Sequence, residues 1–144
     1  MTFTTPPANF NSKFDIVGCY VEYDGKVIAL KRQLHKPQGG QYGLPAGKVD
    51  QGEKLAEAMV REIKEETGIS ISPDKLTLIK SFPTRYPGYD FIFHAFKVTL
   101  SEQPKVSINK GEHIHYLWLT PKEILTLEDA MEGFSDYTKT LYSL

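Results

Sequence analysis

The segment from Glu53 to Thr67 constrains this chain more than any other. It contains neither Gly nor Pro, and Gly68 follows it as a helix stop. With residues placed at about 100° steps, Leu55, Met59 and Ile63 form one stripe, the face expected to meet a core. Glu66 falls between Leu55 and Met59 on that stripe, Glu62 lies at its edge, and Glu65 lies beyond Glu62. Lys54, Glu57, Arg61 and Lys64 take the opposite, solvated side, with Glu57 and Arg61 spaced for an i,i+4 ion pair. Glu53, in the first turn, suits the positive end of the helix dipole. Three carboxylates on one flank repel one another, and one that points inward is costly without a partner. A hard divalent cation such as Mg²⁺ would compensate them, since it takes oxygen ligands. Pairing with Lys and Arg on a solvated face would also do so, and periodicity alone leaves both readings open.

Around this helix the chain reads as strands. Phe14 to Tyr23 and Lys26 to Arg32 flank Asp24-Gly25, which is a hairpin signal. Gln33 to Gln41, with Pro37, Gly39 and Gly40, reads as a loop, and Tyr42 to Pro45 as a short strand into Gly47. Leu76 to Phe82 and Tyr89 to Leu100 alternate as strands, with a turn expected over Pro83 to Gly88. Ile114 to Leu119 is a further strand and Pro121 to Leu125 a short helix, and Ser135 is placed to cap a last helix ending near Leu141. The interleaved strands and helices make the class α/β or α+β, in a single domain over residues 1–144. Residues 1–12, polar and carrying Pro6-Pro7, are expected to form a loose leader.

Composition removes several functions. With 17 Lys and Arg against 18 Asp and Glu the net charge is -1, leaving no excess cation for duplex nucleic acid. The single Cys19 cannot close an intrachain disulfide and sits in an apolar run as a small hydrophobe. No signal peptide and no apolar run of membrane-spanning length is visible, so a cytoplasmic protein is expected, as monomer or homodimer.

The whole stretch Gly47-Lys-Val-Asp-Gln-Gly-Glu53 through Arg61-Glu62-Ile63-Lys-Glu65-Glu66-Thr-Gly68-Ile69 resembles the Nudix box, G-x5-E-x7-R-E-U-x-E-E-x-G-U with U aliphatic. Every fixed position is matched. The resemblance implies a Nudix-type α/β/α sandwich around a mixed β-sheet, with a loop-helix-loop catalytic segment. It implies metal-dependent hydrolysis of a nucleoside diphosphate linked to another group. By the same resemblance Glu62, Glu65 and Glu66, joined by the Gly47 carbonyl, hold Mg²⁺ or Mn²⁺. Arg61 braces the acids, and Glu53 either activates water or orients a neighbour. Glu112, six residues before Trp118, matches a further metal ligand of MutT-like members, with Glu102 as the alternative. Arg32, fifteen residues before Gly47, matches a phosphate-binding arginine. Arg85 resembles an arginine of the nucleotide pocket, and Tyr86 is named as a base contact. Tyr89, Phe91 and Phe93 read as core, and His113 and His115 as polar strand-end residues sharing one face.

The short chain with Arg32 and one Glu112-like acid favours a nucleoside triphosphate, cleaved to a monophosphate and pyrophosphate. ADP-ribose or another dinucleotide is the alternative, and a non-catalytic nucleotide sensor a further one. Pro83 and Tyr86 sit near positions that point to different dinucleotide classes, so neither decides. Gly133-Phe134 stands where an oxidised-guanine reader carries asparagine, which weakens that narrow assignment.

Overall fold

The computed structural model describes residues 1–144. Strand β1 (Ser12–Tyr23) is the axis of the molecule. It turns through Asp24-Gly25, both at positive φ as a tight hairpin turn requires, into β2 (Lys26–Arg32). The hairpin is splayed, because β1 and β2 pair only at Glu22↔Val27 and Tyr23↔Lys26. Beyond that point β1 takes a different neighbour, β4 (Ala46–Lys48), in antiparallel register at Ile16–Gly18. β2 instead pairs with β3 (Tyr42–Gly43) and β7 (His113–Leu119). On its other side β1 runs parallel to β6 (Tyr89–Leu100), which pairs with the outer strand β5 (Thr77–Tyr86). The sheet is thus mixed and forks around β4.

Alternation along these strands builds two cores. Val17, Cys19 and Val21 face α1 (Leu55–Thr67), where they meet Met59, Ile63, Phe96 and Val98. Tyr20, Val27, Ala29, Phe82, Phe93 and Ala95 face the other way, toward α2 (Pro121–Leu125) and α3 (Phe134–Tyr142). One helix on one face and two on the other make the expected α/β/α sandwich. Helix α1 ends on Gly68 at φ 76°, a left-handed position that favours glycine, and Gly68 N–H caps the Lys64 carbonyl. None of the helices is long and apolar enough to cross a membrane.

Four local expectations are corrected. The leader is not loose: Thr2 bridges Thr84, Phe3 N–H donates to the Pro83 carbonyl at 2.9 Å, and Arg85 N–H donates to the Met1 carbonyl at 2.8 Å. An open strand edge offers backbone partners that a polar, Pro-rich composition does not announce. Second, β5 continues through Pro83 to Tyr86, and only Pro87-Gly88 turns. Pro83 tolerates this because its nitrogen faces the outer edge, so the ladder with β6 loses no bond. Third, Gly133 and not Ser135 precedes α3, with Ser135 already inside the first turn. Fourth, His113 and His115 do not share a face. The ladder shifts register between Lys31 and Arg32, so His113 is buried while His115 is exposed, its Nδ1 paired with the Tyr42 hydroxyl at 2.9 Å.

Because Ile63 is fully enclosed between α1 and the sheet, Ile63→Ala is expected to cost about 2–5 kcal/mol, read as a lowered urea midpoint at unchanged slope. A loss under about 1 kcal/mol would mean that α1 does not pack as described.

Candidate active site

The helix stripe carries its acids to the fork in the sheet. Glu66 is 7% exposed, and its Oε1 accepts the Ala46 N–H of β4 at 2.8 Å. Glu62 lies flat against β4. A Cβ built on Gly47 would stand 2.2 Å from the Glu62 carboxyl carbon, so only glycine leaves room for that carboxylate against the backbone. Glu65 is one step further out, its side chain 53% exposed.

Arg61 organises the rest, as the resemblance implies, although the helix wheel alone sets it on the solvated side. Its Nε and Nη2 grip Glu53 at 2.8 and 2.9 Å, and Nη1 reaches Glu62 at 2.8 Å and Glu65 at 3.5 Å. Nη2 also donates to the Lys48 carbonyl at 3.1 Å. The expected Glu57–Arg61 pair does not form. Glu57 turns back to accept the Lys54 N–H at 2.9 Å and closes the helix start. A planar fork satisfies several carboxylates at once, which outweighs one exposed i,i+4 pair.

These contacts split the acids electrostatically. Arg61, then the Asp50 N–H, hold the Glu53 carboxyl down at about 2. Burial pushes Glu62 up, against the opposing pull of Arg61. Burial pushes Glu66 up to about 8, opposed by the Ala46 N–H and reinforced by Glu62 and Glu112. Of the four box acids Glu66 alone has no ion pair. Glu112 is close enough to act on Glu66, and its own Oε1 is bound by Lys36 Nζ at 3.1 Å. Glu102 follows β6 at the sheet end where Leu100 meets Tyr23, away from the end that carries Gly47.

Behind β4 opens a cavity of about 340 Å³. Arg32, Gly47 and Lys48 border it on the acid side, and Tyr86, Tyr89, Phe91 and Phe93 wall the far side. The Phe93 ring stacks on Tyr137 at 4.3 Å, and Tyr86 meets Phe91 edge-on at 5.0 Å. Sequence reading named only Tyr86 here. The spacing of Tyr89, Phe91 and Phe93 on one face of β6 was the available signal, but it cannot separate a cavity wall from a core. Arg32 Nε donates to the Pro37 carbonyl at 2.8 Å. Arg85 does not border this cavity. One strand step turns it to the opposite face, where Nε and Nη2 clamp Asp90 at 2.6 and 3.0 Å. His113, buried beside Arg32, has an unpaired Nδ1, and burial followed by Arg32 pulls its pKa down to about 4.

The NUDIX domain profile matches residues 13–140. The chain belongs to the Nudix hydrolase family. Among curated Nudix relatives, the ADP-ribose pyrophosphatase of Bacillus subtilis is 32% identical over 84% of this chain and 64% of its own length. The CTP pyrophosphohydrolase of Escherichia coli is 28% identical over 77% of this chain and 78% of its own. The ADP-ribose pyrophosphatase of Methanocaldococcus jannaschii is 43% identical over 46% of this chain, a match spanning 39% of that enzyme. Among solved structures, the MutT protein of Methanosarcina mazei superposes at a TM-score of 0.80 with 24% identity, covering 95% of this chain and 97% of that one. A bifunctional enzyme of Francisella tularensis, an NMN adenylyltransferase/ADP ribose pyrophosphatase complexed with AMP and a Mn ion, superposes at 0.74 with 19% identity, covering 94% of this chain and 43% of that one.

The raised Glu66 pKa sets a testable slope. Between its unfolded value of 4.5 and its folded value of about 8, the folded state holds more protons than the unfolded chain. Stability of the metal-free protein should therefore fall as pH rises through that window. Glu66→Gln removes the slope. The metal-free variant is expected to exceed the parent by roughly 2–4 kcal/mol near the upper end of the window and to converge with it at the lower end, by urea unfolding at both. A variant no more stable at the upper end would mean that the carboxyl is solvated.

Proposed function

We propose that this Nudix domain hydrolyses a pyrophosphate bond in a nucleoside diphosphate derivative, with a nucleoside triphosphate as first choice of substrate. The observation that carries the reading is Glu66, a desolvated carboxylate with no cation of its own, beside Glu62 on the bare Gly47 backbone. The donor chemistry fits a hard divalent cation, Mg²⁺ or Mn²⁺. Glu62, Glu65 and Glu66 supply carboxylate oxygens, Gly47 supplies a carbonyl, and Glu112 is a further carboxylate near Glu66. When bound, such an ion lowers the pKa of water and offsets phosphate charge.

The chain's own residues then have distinct tasks. Arg61 fixes Glu53 and Glu62 in place, so neither needs to reorganise during reaction. Glu53, held ionised at about 2, is a poor proton acceptor and serves as a positioning residue. The Glu66 carboxyl gives up its proton when it becomes a ligand, so metal affinity should rise with pH. Arg32 keeps its Nη groups free for a phosphate outside the bond under attack. Tyr86 and Phe91 offer the base an aromatic wall.

ADP-ribose is the second reading, favoured by the names of two relatives. The reaction and the substrate are tested together. A panel of nucleoside triphosphates and ADP-ribose with Mg²⁺ or Mn²⁺, scored by product chromatography, should give turnover that chelation abolishes. Turnover that persists in excess chelator would refute the metal reading. Arg32→Ala is expected to cost triphosphates about 1.5–3 kcal/mol in kcat/KM and ADP-ribose much less. A wild type that prefers ADP-ribose tenfold would make that the substrate class.

A further inference from the structure

The loop over residues 33–41 and the loop before β7 form one tied unit. Gln33 N–H donates to the Glu112 carbonyl at 2.9 Å, and the Gln33 side chain donates to the Lys110 carbonyl. Within the first loop, Lys36 N–H donates to the Gln33 carbonyl at 3.1 Å and Gly40 N–H to the Arg32 carbonyl at 2.9 Å. Gln38 Oε1 accepts the Glu132 N–H at 3.2 Å across the cavity mouth. The backbone is therefore held at both ends by bonds that do not involve the Lys36 side chain.

Lys36 Nζ is the one cation paired with Glu112, and both side chains keep contact with solvent, at 30% and 39% exposure. Such a pair is weak and breaks readily. Its position is not neutral. On one side is the acid cluster, where Glu112 acts on Glu66. On the other is Pro37, the next residue, which lines the cavity and receives Arg32 Nε. Lys36 itself stands just outside the cavity, whose own lining carries two cations, Arg32 and Lys48. Lys48 is drawn onto the Phe14 ring at 4.2 Å, and one Arg32 N–H is already used.

We propose that Lys36 is a specificity-determining residue that changes partners. It neutralises Glu112 in the metal-free protein and, once Glu112 turns to a divalent cation, pairs with the outer phosphate of a triphosphate beside Arg32. This rests on the proposed metal role of Glu112. A diphosphate bridging two ribosides has no charge beyond the bridge, so Lys36 selects by the length of the phosphate chain.

The test compares wild type, Lys36→Met, Lys36→Arg and Glu112→Gln. Mn²⁺ binding without nucleotide is read from the free-ion electron-spin-resonance signal, and KM and kcat are measured for a triphosphate and for ADP-ribose. Lys36→Met should bind Mn²⁺ about threefold to fivefold more tightly, the scale of one exposed ion pair. Its KM for the triphosphate should rise about tenfold with kcat within about twofold, the ADP-ribose KM should hold, and Lys36→Arg should restore the triphosphate KM. A gain in Mn²⁺ affinity without the KM effect, or the KM effect without the gain, overturns the exchange of partners. If Glu112→Gln weakens Mn²⁺ binding while Lys36→Met changes nothing, this proposal fails and the metal reading survives. If Glu112→Gln leaves Mn²⁺ affinity unchanged, the metal role of Glu112 fails and this proposal with it, while the metal role of Glu62, Glu65 and Glu66 stands.

Discussion

The grip of Arg61 on Glu53, Glu62 and Glu65 is the interaction from which the site is built. Without it, several carboxylates on one short helix would repel each other and the loop before the helix would lose its side-chain tie to α1. Arg61 also ties that loop to the sheet through the Lys48 carbonyl. The same grip leaves Glu66 out. Like charge is thereby distributed unequally: the outer acids are satisfied by the protein, and the inner one is held by a single backbone N–H. That inequality leaves the inner carboxyl for a cation from solution, while Glu62 and Glu65 each keep one oxygen that Arg61 does not hold.

The fork in the sheet determines what the acids face. β1 pairs with β2 only beside their turn, and the small residues of β4 fill the space where the two strands part. Ala46 and Gly47 present backbone to α1 on one side while bordering the cavity on the other. Acids and aromatic wall are therefore separated by the backbone of β4. A polyanion attached to an apolar ring fits that division, with no excess positive charge on the protein as a whole.

Much of this was legible in the sequence. The strands β1, β2 and β6, the span of α1 and its Gly68 stop follow from alternation, helical periodicity and breakers, which are local. The inward turn of Glu66 was legible too, because a helix wheel places it between Leu55 and Met59. The place of Arg61 was legible from the box it matches but not from the helix wheel. A wheel puts it opposite the stripe, but a long flexible side chain reaches back around the helix to whatever carboxylates lie within its length. Arg85 failed for another reason: it was expected in a turn, and the continuation of β5 through it fixes its side chain on the face away from the cavity. The leader and Pro83 were misread because edge pairing depends on what lies beside a strand, and composition carries no trace of that. The burial of His113 rests on a single register shift opposite Arg32, a long-range event between two strands about eighty residues apart in sequence.

The outer strand β5 has a consequence for the behaviour of the molecule in concentrated solution. Its second half is covered by the N-terminal segment, but Thr77–Ser81 is exposed and carries Leu78 and Ile79 at 45% and 42% exposure. A bare apolar edge invites strands from other molecules to add on and polymerise. Two features blunt it here. The ladder with β6 slips between Leu78 and Lys80, which kinks the edge, and Lys80 sets a positive charge on it, drawn back over the Phe82 ring at 5.6 Å. Solubility at this margin therefore depends on one irregular residue and one lysine, far from any acid of the site.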